Sequence, residues 1–147
     1  MHADPFGNLK DWGPVLHQLQ NLSAQGQLDQ HQPGLVRLLA YNDNWRLREE
    51  GLRCAAELAQ PDEAVIRQVL RIFADENLYY EVRSLAAETL ATMFKNRACH
   101  FPQAIITAIH KTLVNLLATP QPPLFAQPLR IAALVFSERF GVAFPAQ

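Results

Sequence analysis

The sequence predicts an all-α fold, a short stack of antiparallel helix pairs wound as an α-α superhelix. Three observations predict it. Apolar residues recur every three to four positions through most of the chain, which places them on single helical stripes. Prolines and Asn or Asp residues punctuate those runs where helices should begin. Two segments align with each other at an offset of one helix pair. No segment alternates with period two, and no Asn-Gly or Asp-Gly hairpin turn occurs.

The elements follow in order. Pro14, Pro33 and Pro102 each open an apolar-periodic run, and proline suits a first turn because its missing N–H has no partner there. Asn44, Asp62 and Asn77 stand where an N-cap should accept a bond from an early helical N–H. Pro61 closes one helix, and the cluster Pro120, Pro122, Pro123 and Pro128 marks the longest break. Helices are expected over about 14–25, 33–41, 45–59, 63–74, 78–95, 103–118 and 127–141. Short connections require neighbouring helices to run antiparallel.

The internal match is Arg37-Leu38-Leu39-Ala40 with Arg71-Ile72-Phe73-Ala74, followed by Leu47-Arg48 with Val82-Arg83. A weaker third copy runs through Leu116-Leu117-Ala118 and Leu129-Arg130. A period of this length signals stacked helix pairs. The second helix of each unit opens with an apolar residue and arginine, and Glu81-Val82-Arg83-Ser84-Leu85-Ala86-Ala87-Glu88-Thr89-Leu90 carries the fullest form of the pattern. Over about 33–140 the chain resembles the HEAT and HEAT-like (PBS-lyase-type) helical repeat family. That resemblance implies one domain over 1–147, with an N-terminal helix and repeats at about 33–60, 62–95 and 102–141. It says little about function. Arg48, Arg83 and Arg130 are expected to be structural, binding turn carbonyls or the carboxylates of Asp43, Asp75 and Glu76. Gly51, which aligns with Ala86, predicts a close helix approach with Leu52 turned inward and Glu50 left near the surface.

Composition bounds the rest. Hydrophobic residues make up 49% and charged residues 18% of 147, a globular balance. The formal net charge of −1 gives no long-range pull toward nucleic acid or an anionic membrane. Cys54 and Cys99 form no disulfide framework, no run reaches the ~18 apolar residues of a membrane span, and the first residues do not read as a signal peptide. A soluble, cytoplasmic protein is expected. The five histidines, His2, His17, His31, His100 and His110, show no metal-ligand spacing, and no phosphate loop or nucleophile elbow occurs. No enzymatic activity, cofactor or metal is therefore expected.

Two features point to a partner instead. Trp45, Tyr79 and Tyr80 lie where successive second helices begin, with Arg46 beside Trp45, and aromatic and arginine residues dominate binding hot spots. The last helix is apolar all round, and the positions equivalent to Glu49 and Arg53 become Ile131 and Val135. The expected function is a protein-binding scaffold or adaptor. Its candidate surface is Trp45, Arg46, Glu49, Arg53, Tyr79, Tyr80, Glu88, Ile131 and Val135, with Glu57 and Ser84 on the same stripe. The partner is another protein, or a second copy held through the apolar C-terminal helix. Two other classes resemble the scaffold: HEAT-like DNA glycosylases, which need a basic concave face that this mixed-sign stripe lacks, and bilin lyase-like proteins, which share the pattern at 81–90.

Overall fold

A computed structural model describes residues 4–145, so His2 lies outside the described residues. Seven helices follow one another: α1 (Trp12–Ala24), α2 (Gln32–Ala40), α3 (Trp45–Ala56), α4 (Glu63–Ala74), α5 (Tyr80–Lys95), α6 (Gln103–Leu117) and α7 (Pro123–Phe140). A single 3-10 turn, Leu28–His31, precedes α2. The fold is all-α, and no strand occurs among the described residues.

The helices form two layers. α1, α3, α5 and α7 pack in sequence in one layer, and α2, α4 and α6 pack in sequence in the other. α2–α3, α4–α5 and α6–α7 are the connected pairs that join them. One apolar core runs between the layers, from Phe6 and Leu19 through Leu39, Phe73 and Leu90 to Phe136. α4 shows why: Val65, Ile66, Val69, Ile72 and Phe73 recur at helical spacing and are all buried.

Local chemistry sets most ends. Asn44 caps α3, its Oδ1 accepting from Arg46 N at 2.9 Å and Leu47 N at 3.2 Å. Asp62 holds the N-cap position of α4 without a side-chain cap bond. Asn77 caps nothing: Tyr79 precedes α5, and the Asn77 N–H donates to Asp75 Oδ1 in a local turn. Gly141 ends α7 at φ 69°, the left-handed conformation that glycine adopts without a Cβ clash.

The C-terminal helix begins at Pro123, about a turn before the expected start near residue 127. Pro122 (φ −58°, ψ 149°) leads extended chain into it, and Pro123 takes the first position, where proline is tolerated. Pro128 lies inside the helix and has no N–H for the Leu124 carbonyl. The Ser84 hydroxyl donates to that carbonyl at 3.1 Å. Ser84 is thus a buried link between α5 and α7 and not an exposed stripe residue.

Arginines bind the carbonyls at helix ends. Arg48 Nε donates to Leu39 O at 3.3 Å, and its Nη2 donates to Tyr41 O at 3.1 Å and to the Asn42 side chain. Arg83 Nε donates to Phe73 O at 3.0 Å, and its guanidinium lies 4.6 Å from the Phe125 ring centre. Carbonyls, not the carboxylates of Asp43, Asp75 or Glu76, are the partners of both. Arg130 departs from the expected structural role and is exposed. At the end of α6 Gln121 Nε2 donates to Leu116 O at 3.1 Å, while Arg139 donates to Phe94 O, Asn96 O and Cys99 O, at and beyond the end of α5, at 3.0, 2.9 and 2.9 Å.

α3 and α2 approach closely at Gly51, where an added Cβ would stand 2.8 Å from Leu38 and 2.9 Å from Leu39 side-chain atoms. Leu52 is fully buried, and Glu50 is half-buried beside Arg53. The N-terminal segment is held by Asp4 and Arg37, whose Oδ2 and Nε lie 2.6 Å apart. The Arg37 guanidinium holds the Asp4 carboxyl below its ordinary range.

Replacing Arg139 by alanine strips three carbonyls, at the end of α5 and in the loop beyond it, of their donor. Stability should fall by about 2–4 kcal/mol, read as a lower urea midpoint. Arg130→Ala should stay within about 0.5 kcal/mol of the parent. Equal losses in the two variants would contradict this assignment.

Candidate protein-interaction face

The layer of odd-numbered helices turns one face outward, and the candidate residues divide along it. At its first edge the N-termini of α1 and α3 meet. Asn44 fixes the start of α3, and the Arg46 guanidinium then lies 5.8 Å from the Trp12 ring centre and 5.1 Å from that of Trp45. Both rings remain open to solvent, Trp45 at 56% exposure. Trp12 was not legible as a member of this cluster, because it precedes the matching segments and has no counterpart in them.

Further along, Tyr79 Oη donates to a Glu49 carboxylate oxygen at 3.0 Å, and Glu49 pairs with Arg53 at 3.7 Å. Tyr79 thereby links the start of α5 to α3. Tyr80 does a different job. Its ring lies 5.5 Å from Phe125, and Phe125 is fully buried. Tyr80 therefore fastens α5 to α7 while keeping one side exposed. The turn aromatics are two groups, an open Trp12–Arg46–Trp45 cluster and a pair of tyrosine links.

The C-terminal end carries the open apolar surface. Ile131 is exposed, and so are Leu124 and, at 59%, Leu134. Val135 is buried against α5 near Phe94 and Lys95, so it cannot meet a partner in this conformation. The physical reason is that α7 turns Val135 onto the C-terminal half of α5. Aligning the starts of α5 and α7, Tyr80 with Pro123, gives an offset of 43 residues in place of the 47 that pairs Arg83 with Arg130. Ile131 then matches Glu88, and through it Arg53, while Arg83 matches Ala126. In this register Ile131 keeps an exposed counterpart, whereas Leu134 is exposed although its counterpart Ala91 is buried, and Val135 is buried although its counterpart Thr92 is exposed.

Glu88, Pro123, Leu124, Gln127, Pro128 and Ile131 line a shallow groove of about 380 Å³ between α5 and α7. The described part of the C-terminal tail does not cover it. Phe144 lies 5.4 Å from the His110 ring and 6.0 Å from Phe136, and the Ser137 hydroxyl donates to the Val142 carbonyl. The tail thus lies over the α6–α7 side and leaves Leu124, Ile131 and Leu134 open.

The other candidate chemistry is internal. Cys54 and Cys99 are buried and free, and burial pushes each thiol up to about 11. Among the described residues no group of three or more His, Cys, Asp or Glu side chains is placed to hold a metal. No helix there is long and apolar enough to cross a membrane. Comparison with protein-family models, curated proteins and solved structures found no match.

Burial and then the hydrogen bond to Glu49 push the Tyr79 phenol up to about 12, above its ordinary 10.0. The folded chain therefore holds this proton more tightly than the unfolded chain does. The stabilisation is whole below pH ~10 and is lost as pH rises from about 10 to 12. Tyr79→Phe should decline less steeply than the parent in urea midpoints measured across that range. Parallel declines would show that the phenol is not held in this way.

Proposed function

We propose that the chain is a short HEAT-like α-α superhelical stack that serves as a non-enzymatic protein-binding scaffold. The layered order of the helices and the Arg139 contact from α7 to the end of α5 support the stacking. One observation carries the function: Leu124, Ile131 and Leu134 stand open on α7, and the positions of Leu124 and Ile131 carry Glu81 and Glu88 on α5. Exposed aliphatic residues gathered on one helix mark contact sites more often than singly scattered ones do. The open Trp12–Arg46–Trp45 cluster supplies hot-spot residue types at the other end of the same layer. Glu49, Glu57 and Glu88 interrupt the basic residues of this face, which gives nucleic acid no continuous cationic track.

The test is affinity capture with the full chain, an Ile131→Glu, Leu134→Glu double variant, and Lys111→Glu on the exposed side of α6. Circular dichroism first verifies that all three are folded. The expected result is a protein recovered with the parent and Lys111→Glu chains and lost from the double variant. Light scattering on the same samples reveals whether that protein is a second copy. Equal recovery by all three chains would refute the surface assignment.

A further inference from the structure

The α5–α7 groove has a charge order that narrows its partner, an inference that rests on the scaffold reading above. At its centre Glu88 stands beside Ile131. Its carboxylate makes no ion pair or side-chain hydrogen bond among the described residues. At the far end the α5–α7 cleft continues past Lys95, Arg97 and Glu138, and Lys95 and Arg97 are exposed. From Leu124 to Glu138 is about 21 Å of helix, or roughly four turns.

A second copy of this chain fits the groove poorly. Laying α7 antiparallel on its own copy about Ile131 would set Leu124 against Glu138. The other exposed large hydrophobic residues, Trp12, Trp45, Tyr79 and Tyr80, sit at helix starts and form no complementary stripe.

We propose that the groove receives one amphipathic helix of another protein. Its apolar residues recur at i, i+3 or i+4 and i+7 over Leu124, Ile131 and Leu134. Lysine or arginine flanks that stripe at mid-length, facing Glu88, and acidic residues at one end face Lys95 and Arg97. Helix-in-groove docking supplies the contact area, and the charges select the partner.

Two fluorescein-labelled designed helical peptides test this by anisotropy against the full chain at low salt. Both carry the same leucine stripe. One has lysines at its middle and glutamates at one end, and the other has every charge inverted. The lysine-centred peptide should bind at least about tenfold more tightly. Glu88→Lys should reverse the preference, and Leu134→Glu should weaken both peptides about tenfold or more. Equal affinities unmoved by Glu88→Lys, with a loss in Leu134→Glu, would overturn the charge assignment and keep the docking surface. Binding unaffected by Leu134→Glu and Ile131→Glu would overturn the location, and the scaffold reading of this face with it. Absence of binding together with a dimer in light scattering would assign the groove to a second copy and overturn the proposal.

Discussion

Backbone carbonyls at helix C-termini have no donor inside their own helix, and this fold depends on supplying one from a neighbour. Arg48 reaches the end of α2, Arg83 the end of α4, and Arg139 the end of α5 and the loop beyond it. A guanidinium suits the task because its fixed fork can serve several carbonyls at once, as Arg139 does. Arg48 and Arg83 each brace the two helices of one pair, and Arg139 joins α7 to the pair before it. The remaining helix-end and loop groups are met by amides and carboxylates. Gln32 donates to Asp29 O and Gln60 O, Asp29 accepts from Ala59 N and Gln60 N, and Asn96 donates to Leu58 O and Ala59 O.

This constraint explains which parts of the fold were legible in the sequence. α4, α5 and α6 were read with little error because apolar periodicity is a direct imprint of a two-layer core. Arg48 and Arg83 were legible because both open helices in segments that match. Arg139 was not, since it acts from the C-terminal half of α7, where the matching pattern has no arginine. The start of α7 was misplaced because Pro122, Pro123 and Pro128 signal a break. That signal is sound for an isolated helix. It fails here because Ser84, forty residues earlier in the chain, supplies the donor that leaves Pro128 tolerable.

The candidate face was misread for a different reason, because matching α7 to α5 does not predict what α7 itself buries. Val135 matches an exposed residue of α5 in either register, Glu88 or Thr92, yet is buried, and Leu134 matches a buried one, Ala87 or Ala91, yet is exposed. The aromatics were found as residue types but not as contacts. Tyr79 and Tyr80 are adjacent and exposed to similar extents, yet one bonds a carboxylate on α3 and the other packs on a buried phenylalanine of α7. That division depends on which neighbour each side chain meets across the layer, which spacing along the chain does not encode.

The corrected register also sharpens the meaning of the apolar surface. Arg53, Glu88 and Ile131 occupy equivalent positions on α3, α5 and α7, and all three are exposed. Folding does not distinguish them, because surface substitutions away from caps and networks usually change stability by no more than about 0.5 kcal/mol. The core beneath α7 is already filled by Phe125, Leu129, Ala132 and Phe136. The tail that closes the α6–α7 side reaches Phe136 and His110, not Ile131. Core packing and tail burial therefore leave Ile131, Leu124 and Leu134 without a structural task. The contact proposed for this face would give them one, and Leu124 and Ile131 stand where α3 and α5 carry Arg46, Glu81, Arg53 and Glu88.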